Sequence, residues 1–575
     1  MCGIAGMVGS PQNLASVRRM TGALGHRGPD GEGYFDGEGV ALGHRRLAIL
    51  DLSPAGAQPM HSRDGRWTIV LNGEIFNYRE LRAELGGEFR SGTDTEVMLE
   101  ACVAWGVEKA LDRAIGMFAL GLWDARSREL TLARDRAGEK PLVYYWDGVT
   151  FAFASELKAL AGLHPARLDA AAVDAFLALG YVPAPLAIFR DCRKLPPGHL
   201  LKLRDRALEV RRWWFPERVA PAPEREKTQR RGELRALMQD AVRLRLRADV
   251  PVALCLSGGV DSSVIAAECV RQGVPLDAFT VALDGDSTDL PHARVVARHL
   301  HLKHHVIEAR AESAAAQLEA AAEHYDEPFA DSSALPSLAL ARALAGRYKV
   351  ILNGDGGDEA FAGYPHYERI GAKQILKAAA AAAGLRDGAG SMGVYVQSKT
   401  LFRRRERMRL LDRQAPGDTL SVLLASDGYL PSASGDALHR ALWSDRHLYL
   451  PNDLTYKMDI ALSSCGMEGR SPFLDHRILE WAQGLESPDL VRGREKKVLL
   501  RDAYRDELPP SVLERPKQGF GAPVDAWLAG PLEEIQKESL PCPLLDRASQ
   551  TGLAGQRLWT VLAFARWAKR WGASW

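Results

Sequence analysis

Short apolar runs bounded by polar turns fill the first 160 or so residues, and long stretches of helical period replace them further on. Residues 67–76, 118–123, 129–133, 141–145 and 151–154 are rich in β-branched and aromatic side chains and read as strands. Polar turns such as DARSR (124–128) and WDG (146–148) close several of them. Residues 95–105 read as a helix, with Thr93 and Glu96 at capping-box spacing before it. This mixture predicts an antiparallel sheet with helices packed on it, an α+β arrangement.

From 211 to 231 prolines mix with dense charge and no apolar period survives, which predicts a linker between a domain at 1–210 and another at 232–575. Beyond it, Ala- and Leu-rich helical segments alternate with short apolar runs at 250–257, 278–283 and 349–354. Strand–helix alternation of this kind predicts a parallel, doubly wound α/β sheet. The Ala-rich run 377–385 reads as plain helix, and the Trp-rich stretch 558–571 as a helix used for core packing.

Composition narrows the function classes. Apolar content of 46% and charged content of 26% are ordinary for a soluble globular chain, and its 575 residues suffice for two large cores. Lys plus Arg (74) nearly cancels Asp plus Glu (73), so no basic field points to nucleic acid or a membrane surface. The longest candidate span, 175–189, is broken by Pro183 and Pro185, and no basic segment opens a secretory signal. Seven cysteines, at 2, 102, 192, 255, 269, 465 and 542, lack any CxxC or Cys/His spacing and read as cytosolic thiols, most of them core residues.

Cys2 is the exception. Once the initiator Met is removed, it carries a thiol and a free α-amine on one residue, and the amine can serve as the base that activates the nucleophile. Behind it come His26-Arg27-Gly28-Pro29-Asp30, Gly43–Ile49 (GHRRLAI), Asn72-Gly73-Glu74 and Ser91-Gly92-Thr93-Asp94. In this order the motifs resemble the class II glutamine amidotransferase domain of the N-terminal nucleophile hydrolases, whose fold is an αββα sandwich. The resemblance covers about the first 210 residues. It implies an oxyanion hole from the Asn72 side chain and the Gly73 N–H, where one donor is worth about 10²–10³ in rate. It also implies a glutamine site in which Arg46 pairs with the substrate carboxylate, Leu47, Ala48, Ile49 and Leu50 line the pocket, and Glu74 and Asp94 accept from the α-ammonium.

In the second half an apolar strand runs into Ser257-Gly258-Gly259-Val260-Asp261-Ser262-Ser263, with a helix directly after. A glycine-rich loop at a helix N-terminus presents backbone N–H groups and a favourable dipole to an anion. SGGVDSS lacks the Lys of a Walker loop and resembles the PP-loop of ATP pyrophosphatases, which split ATP into AMP and pyrophosphate. Downstream, Asn353–Glu359 (NGDGGDE) sets carboxylates among glycines, suited to Mg²⁺ that also takes phosphate oxygens. With Tyr325–Ser333 (YDEPFADSS), Glu468–Asp475 (EGRSPFLD) and Lys497 in KVLLR, the chain resembles the asparagine synthetase family. That resemblance implies ATP at Leu256, Ser257, Gly258, Gly259, Asp261, Ser262, Val281, Asn353 and Gly354. It implies Mg²⁺–pyrophosphate at Asp261 and Asp358, charge stabilisation by Lys497, and a homodimer. Some members carry Glu where Asp355 stands, so Asp355 is either the base for ammonia attack or a structural acceptor in its loop.

The two halves together predict a glutamine-dependent ligase: Cys2 releases ammonia, and the second domain adenylates a carboxylate that the ammonia then attacks. Three alternatives stand beside an aspartate-amidating enzyme. Other glutamine amidotransferases lack SGGxDS. A relative in secondary metabolism or cell-envelope synthesis could amidate a different carboxylate, although ring-closing relatives tend to lose the nucleophilic Cys. A non-enzymatic binder would have no need of both intact sites.

Overall fold

The computed structural model describes the chain except for residues 10–12, 164–165, 216–226, 275, 284–288, 310–313, 371–394, 397, 413–416, 418, 426–435, 518–521, 531, 534 and 536–552. The predicted helix at 377–385 and Cys542 lie outside the described residues.

The first half contains twelve strands: β1 (Gly3–Val8), β2 (Gly31–Gly37), β3 (Val40–Arg46), β4 (Met60–His61), β5 (Trp67–Ile75), β6 (Gly116–Asp124), β7 (Glu129–Arg134), β8 (Val143–Trp146), β9 (Phe151–Ala154), β10 (Cys192–Lys194), β11 (His199–Arg204) and β12 (Ala207–Arg212). They form two six-stranded sheets, ordered β10-β8-β9-β1-β3-β2 and β12-β11-β7-β6-β5-β4, and every pair in both sheets is antiparallel. Ile4, Leu42 and Phe153 of one sheet meet Val70, Ala119 and Leu132 of the other in a dry core between them. Val17, Met20, Val173 and Phe176, from the helices Asn13–Ala23 and Ala170–Leu179, cover the outer face of the first sheet. Val97, Met98 and Leu111, from Asp94–Trp105 and Val107–Arg113, cover the second. Helix, sheet, sheet, helix: the αββα sandwich is present. Apolar residues on both faces of the inner strands explain why those runs read as nearly continuous rather than alternating.

The second half centres on β13 (Val252–Cys255), β14 (Asp277–Leu283), β15 (Lys303–Ala309), β16 (Val350–Leu352) and β17 (Glu468–Arg470), in the order β15-β14-β13-β16-β17. All four pairings are parallel. The chain builds outward from β13 on one side and then returns to β16 on the other, so the switch point falls at the ends of β13 and β16. Ligands of doubly wound sheets bind at such a crevice. SGGVDSS follows β13 and NGDGGDE follows β16.

Two sequence expectations change in detail and a third holds. The linker is shorter than 211–231 at both ends, because Arg211 and Arg212 complete β12 against Leu200 and His199, and a helix starts at Lys227. The capping box is only half formed: Thr93 Oγ1 accepts from the Glu96 amide at 3.3 Å, but the Glu96 carboxylate accepts from the Arg90 and Ser91 amides. The C-terminal helix, Gly555–Trp571, does bury its Trp559 and Trp567, and it packs them into the core beside the first sheet, far from its sequence neighbours. No helix among the described residues is long and apolar enough to cross a membrane. Cys102, Cys192 and Cys269 are buried, Cys2, Cys255 and Cys465 are half-buried, and all six are free thiols.

Candidate functional site

Cys2 precedes β1 directly, and the pairing of Gly3 with Arg45 sets it beside the loop after β3. Its Sγ accepts from the Leu47 amide at 3.4 Å, and Arg27 Nε donates to its carbonyl at 2.9 Å. Leu47 and Ile49 pack there against Val350, Val250 and Val252, so apolar residues of both halves surround the nucleophile. With Met1 in place, burial pushes the Cys2 thiol up to about 11 and the terminal amine down to about 5. Met1 itself is fully buried; its amine donates to Met467 O at 3.2 Å, and Lys140 Nζ lies 2.8 Å from its sulfur.

Asn72 and Gly73 lie in the middle of β5, opposite Ala119 and Phe118. Asn72 is fully buried, yet neither its Oδ1 nor its Nδ2 has a hydrogen-bond partner among the described residues. A buried orphan amide is costly, about 1–3 kcal/mol, and such groups mark a place where a ligand or catalysis supplies the partner. Gly73 has φ +136°, and a Cβ there would stand 2.0 Å from Met117 O, so the backbone at this point requires glycine. Next in the strand, Glu74 is buried beside Asp94, whose Oδ2 accepts from the Ile75 amide at 2.7 Å. Burial raises both acids, Asp94 to about 6 and Glu74 well above its ordinary range. Arg46 donates to the carbonyls of Ser53 (2.7 Å), Leu50 (3.4 Å) and Asp51, so it braces the 47–53 loop over this pocket. Ala48 is fixed through its amide to Asp30 Oδ2 at 2.8 Å, and Lys349 of the second half reaches the same carboxylate at 2.8 Å.

The second site is a cavity of about 400 Å³ at the switch point of the parallel sheet. Of the residues named for ATP, Leu256, Ser257, Gly259, Asp261, Ser262, Val281, Asn353 and Gly354 line it. Gly258 stands behind them; at φ +69° a Cβ would meet Ala293 N at 2.3 Å, so glycine lets the loop lie flat on the next helix. Ser257 Oγ accepts from the Gly259 amide at 3.2 Å and Ser262 Oγ from the Ser257 amide at 3.2 Å, which closes the turn on itself. The helix Val260–Arg271 then begins with its N-terminus at the cavity. Leu256, Phe279, Val281 and Leu340 give an apolar wall suited to a base, and Lys497, Arg501, Arg515 and Lys517 a cationic one suited to phosphates.

Asp261 and Asp358 face each other across Lys497, whose Nζ is 2.6 Å from Asp261 Oδ1 and 2.6 Å from Asp358 Oδ1. Lys517 adds a contact to Asp358 Oδ2 at 2.6 Å. Burial raises Asp261, whereas on Asp358 the two lysines outweigh burial and hold the carboxyl below its usual range. No group of three or more acidic, His or Cys side chains fit for a metal occurs among the described residues. Two carboxylates do fit Mg²⁺ that arrives with phosphate oxygens, since Mg²⁺ keeps one or two carboxylates beside its phosphate ligands.

Asp355 lies between two cavities. It lines the nucleotide cavity and also a smaller one, of about 20 Å³, shared with Glu139, Lys140, Asn353, Met458 and Asp459. Burial pushes Asp355 up to about 6 and Glu139 to about 8. Lys517, Arg515, Lys457, Tyr364 and Tyr449 also line the large cavity, and no motif marks them. Asp331 and Ser333 were within the YDEPFADSS motif but had no assigned role, and Lys457 now binds both, at 2.8 and 2.6 Å.

Comparison with known proteins agrees with both halves. The glutamine amidotransferase domain profile matches residues 1–214 and the asparagine synthase profile residues 233–569. The chain is 30% identical to the Bacillus subtilis glutamine-hydrolyzing asparagine synthetase 1, covering 99% of this chain and 96% of that one. It is 29% identical to the glutamine-hydrolyzing asparagine synthetase 3 of the same organism, over 95% and 92% of the two chains. It is also 29% identical to the Penicillium rubens amidase chyE, over 94% and 91%. With a complete amidotransferase sandwich, a pyrophosphatase-type loop at the switch point and matches over almost its whole length, the chain belongs to the asparagine synthase family.

Proposed function

We propose that this protein makes asparagine from aspartate, ATP, glutamine and water, releasing glutamate, AMP and pyrophosphate. The observation that carries the reading is the position of Asp355. It borders the nucleotide cavity on one side and, on the other, a polar cavity whose Asp459 is joined through Arg27 to the carbonyl of Cys2. In this reading ammonia released at Cys2 passes through the interior, by way of the cavity beside Asp355, to the activated carboxylate.

In this reading the Cys2 thiolate attacks the glutamine amide once Met1 is gone and its own amine can take the proton. The orphan Asn72 side chain and the Gly73 N–H receive the oxyanion. Arg46, with the 47–50 loop it braces, takes the α-carboxylate, and Glu74 and Asp94 take the α-ammonium. At the other site ATP lies along Leu256–Gly259, Ser262, Val281 and Asn353–Gly354, and Asp261 and Asp358 would hold Mg²⁺. Bound there, Mg²⁺ would neutralise charge on the pyrophosphate. Lys497 stabilises the charge that develops as the acceptor carboxylate attacks the α-phosphate. Asp355 removes the proton from the attacking ammonia, a role that a carboxyl near pKa 6 can fill at neutral pH. A cytoplasmic homodimer completes the proposal, and sedimentation of the purified protein tests the dimer.

The deciding experiment supplies ATP, Mg²⁺, glutamine and a panel of carboxylates and identifies the products by mass. Asparagine, AMP and pyrophosphate in equal amounts are expected. An amide of another acid with none of aspartate would replace the acceptor, and ADP with phosphate would overturn the second site.

A further inference from the structure

The short strand β17 ends between Glu74 and the loop that carries Asp355: Arg470 reaches Glu74, and Ser471 Oγ donates to the Asp355 carbonyl at 2.5 Å. Its last residue, Arg470, is fully buried and belongs to the second half of the chain. Three of its contacts hold it rigidly: Nη1 donates to the carbonyls of Arg245 (2.9 Å) and Arg247 (2.7 Å), and Nε donates to Glu468 Oε1 at 2.8 Å. The Phe76 ring lies 5.4 Å from its Cζ. Nη2 has no hydrogen-bond partner among the described residues, and it stands 3.3 Å from Glu74 Oε1.

Glu74 needs such a neighbour. It is buried, and the charged or titratable groups around it are Asp94 from the helix Asp94–Trp105, Glu468 and Arg470 from β17, and Lys140 from the loop after β7; Cys2 also feels its charge. Burial and two acids push Glu74 toward its protonated form, and Arg470 is the strongest opposing influence. A neutral carboxyl forms no ion pair with an ammonium, so without a cation Glu74 could not do the task proposed for it.

We infer that Arg470 is a positioning residue of the glutamine site, supplied by the synthetase half, whose otherwise unpaired Nη2 favours the ionised form of Glu74 against its buried acidic neighbours as the α-ammonium of glutamine arrives. Arg470 acts through Glu74 and needs no contact with substrate. The inference rests on the proposed role of Glu74. It makes the first site composite: the amidotransferase half supplies the nucleophile and oxyanion donors, and the other half sets the charge that recognises the amino end.

The test uses the full chain carrying Cys2→Ala, so that ligands bind without turnover, and compares glutamine with glutaramate, which lacks the α-amine. Arg470→Met should weaken glutamine at pH 7 by roughly tenfold for each unit that Glu74 rises, and the deficit should shrink as pH rises. Glutaramate binding should stay the same, which also reports an intact pocket. Arg470→Lys should restore most of the glutamine affinity. Should Arg470→Met not fold, Glu468→Gln tests the same idea with the opposite sign: it leaves Arg470 to Glu74 alone and should shift the acid limb of glutamine binding to lower pH, with glutaramate unmoved. Equal losses for both ligands, or no pH-dependent difference between them, would overturn the inference. Failure of the Cys2→Ala parent to bind glutamine at all would instead overturn the functional reading, and is seen before any second substitution is made.

Discussion

Lys497 donates to Asp261 and pairs with Asp358 from a left-handed backbone position, φ +55°, at the start of the helix Val498–Ala503. Two carboxylates thus converge on one buried ammonium, and Lys517 adds a second cation on Asp358. Lys497→Met should cut pyrophosphate–ATP exchange by about 10²–10³ and leave glutamine hydrolysis intact. Removing one member of a buried charge set typically costs about 3–5 kcal/mol, and because Lys517 still reaches Asp358, the low end is expected in urea unfolding.

Cys2→Ala should abolish glutamine-dependent synthesis and keep synthesis from added ammonia. Retained glutaminase activity in the purified variant would refute the nucleophile. A chain that keeps Met1 should behave like the variant, because its Cys2 nitrogen is then a peptide amide.

Asn72 should show a trade between activity and stability. Both of its amide atoms are buried without partners, so Asn72→Ala should lose about 10²–10³ in glutaminase rate while thermal stability holds or rises, since the orphan polar atoms are gone. A loss of stability comparable to an ordinary core truncation would mean that Asn72 is a packing residue.

Asp355 yields a kinetic and a pH prediction. Asp355→Asn should slow amide formation about 10²–10⁴-fold while pyrophosphate exchange in the presence of the acceptor persists; equal loss of both would place Asp355 in the nucleotide site. Burial raises the carboxyl from 3.8 to about 6, so it favours folding only while protonated. That contribution is complete below 3.8 and disappears as pH rises through about 6. The stability of Asp355→Asn relative to the native chain should therefore increase between pH 4 and about 7, measured by denaturant titration at each pH.

Much of this was legible locally. SGGVDSS announced its loop because two glycines between an apolar strand and a helix start mark a tight turn at the helix N-terminus. The strands at 67–75 and 116–124 were readable from side-chain type alone. Gly258 was named for ATP on motif grounds, but its structural work is to let the loop approach Ala293. What could not be read were partners brought together by docking the halves. Nothing near Arg470 in sequence signals Glu74, nearly four hundred residues away, and Lys517 sits in the sequence Pro-Lys-Gln-Gly with no motif of its own. A lone buried Arg or Lys carries no periodicity, so only the packed molecule reveals which acid it serves.

Arg27 has a consequence for anyone wishing to cut this enzyme in two. Its guanidinium, fully buried, joins Glu156 Oε1 at 2.5 Å on its own side to Asp459 Oδ2 at 2.8 Å on the other, and its Nε holds the carbonyl of Cys2 at 2.9 Å. A gene split at the linker would leave the front fragment with that cation half-compensated and facing water, and the back fragment with an exposed acid. Fragments made separately should aggregate or stay inactive, and co-translated fragments should assemble. Chimeras between relatives should work only when residues 27, 156 and 459 are inherited as a set.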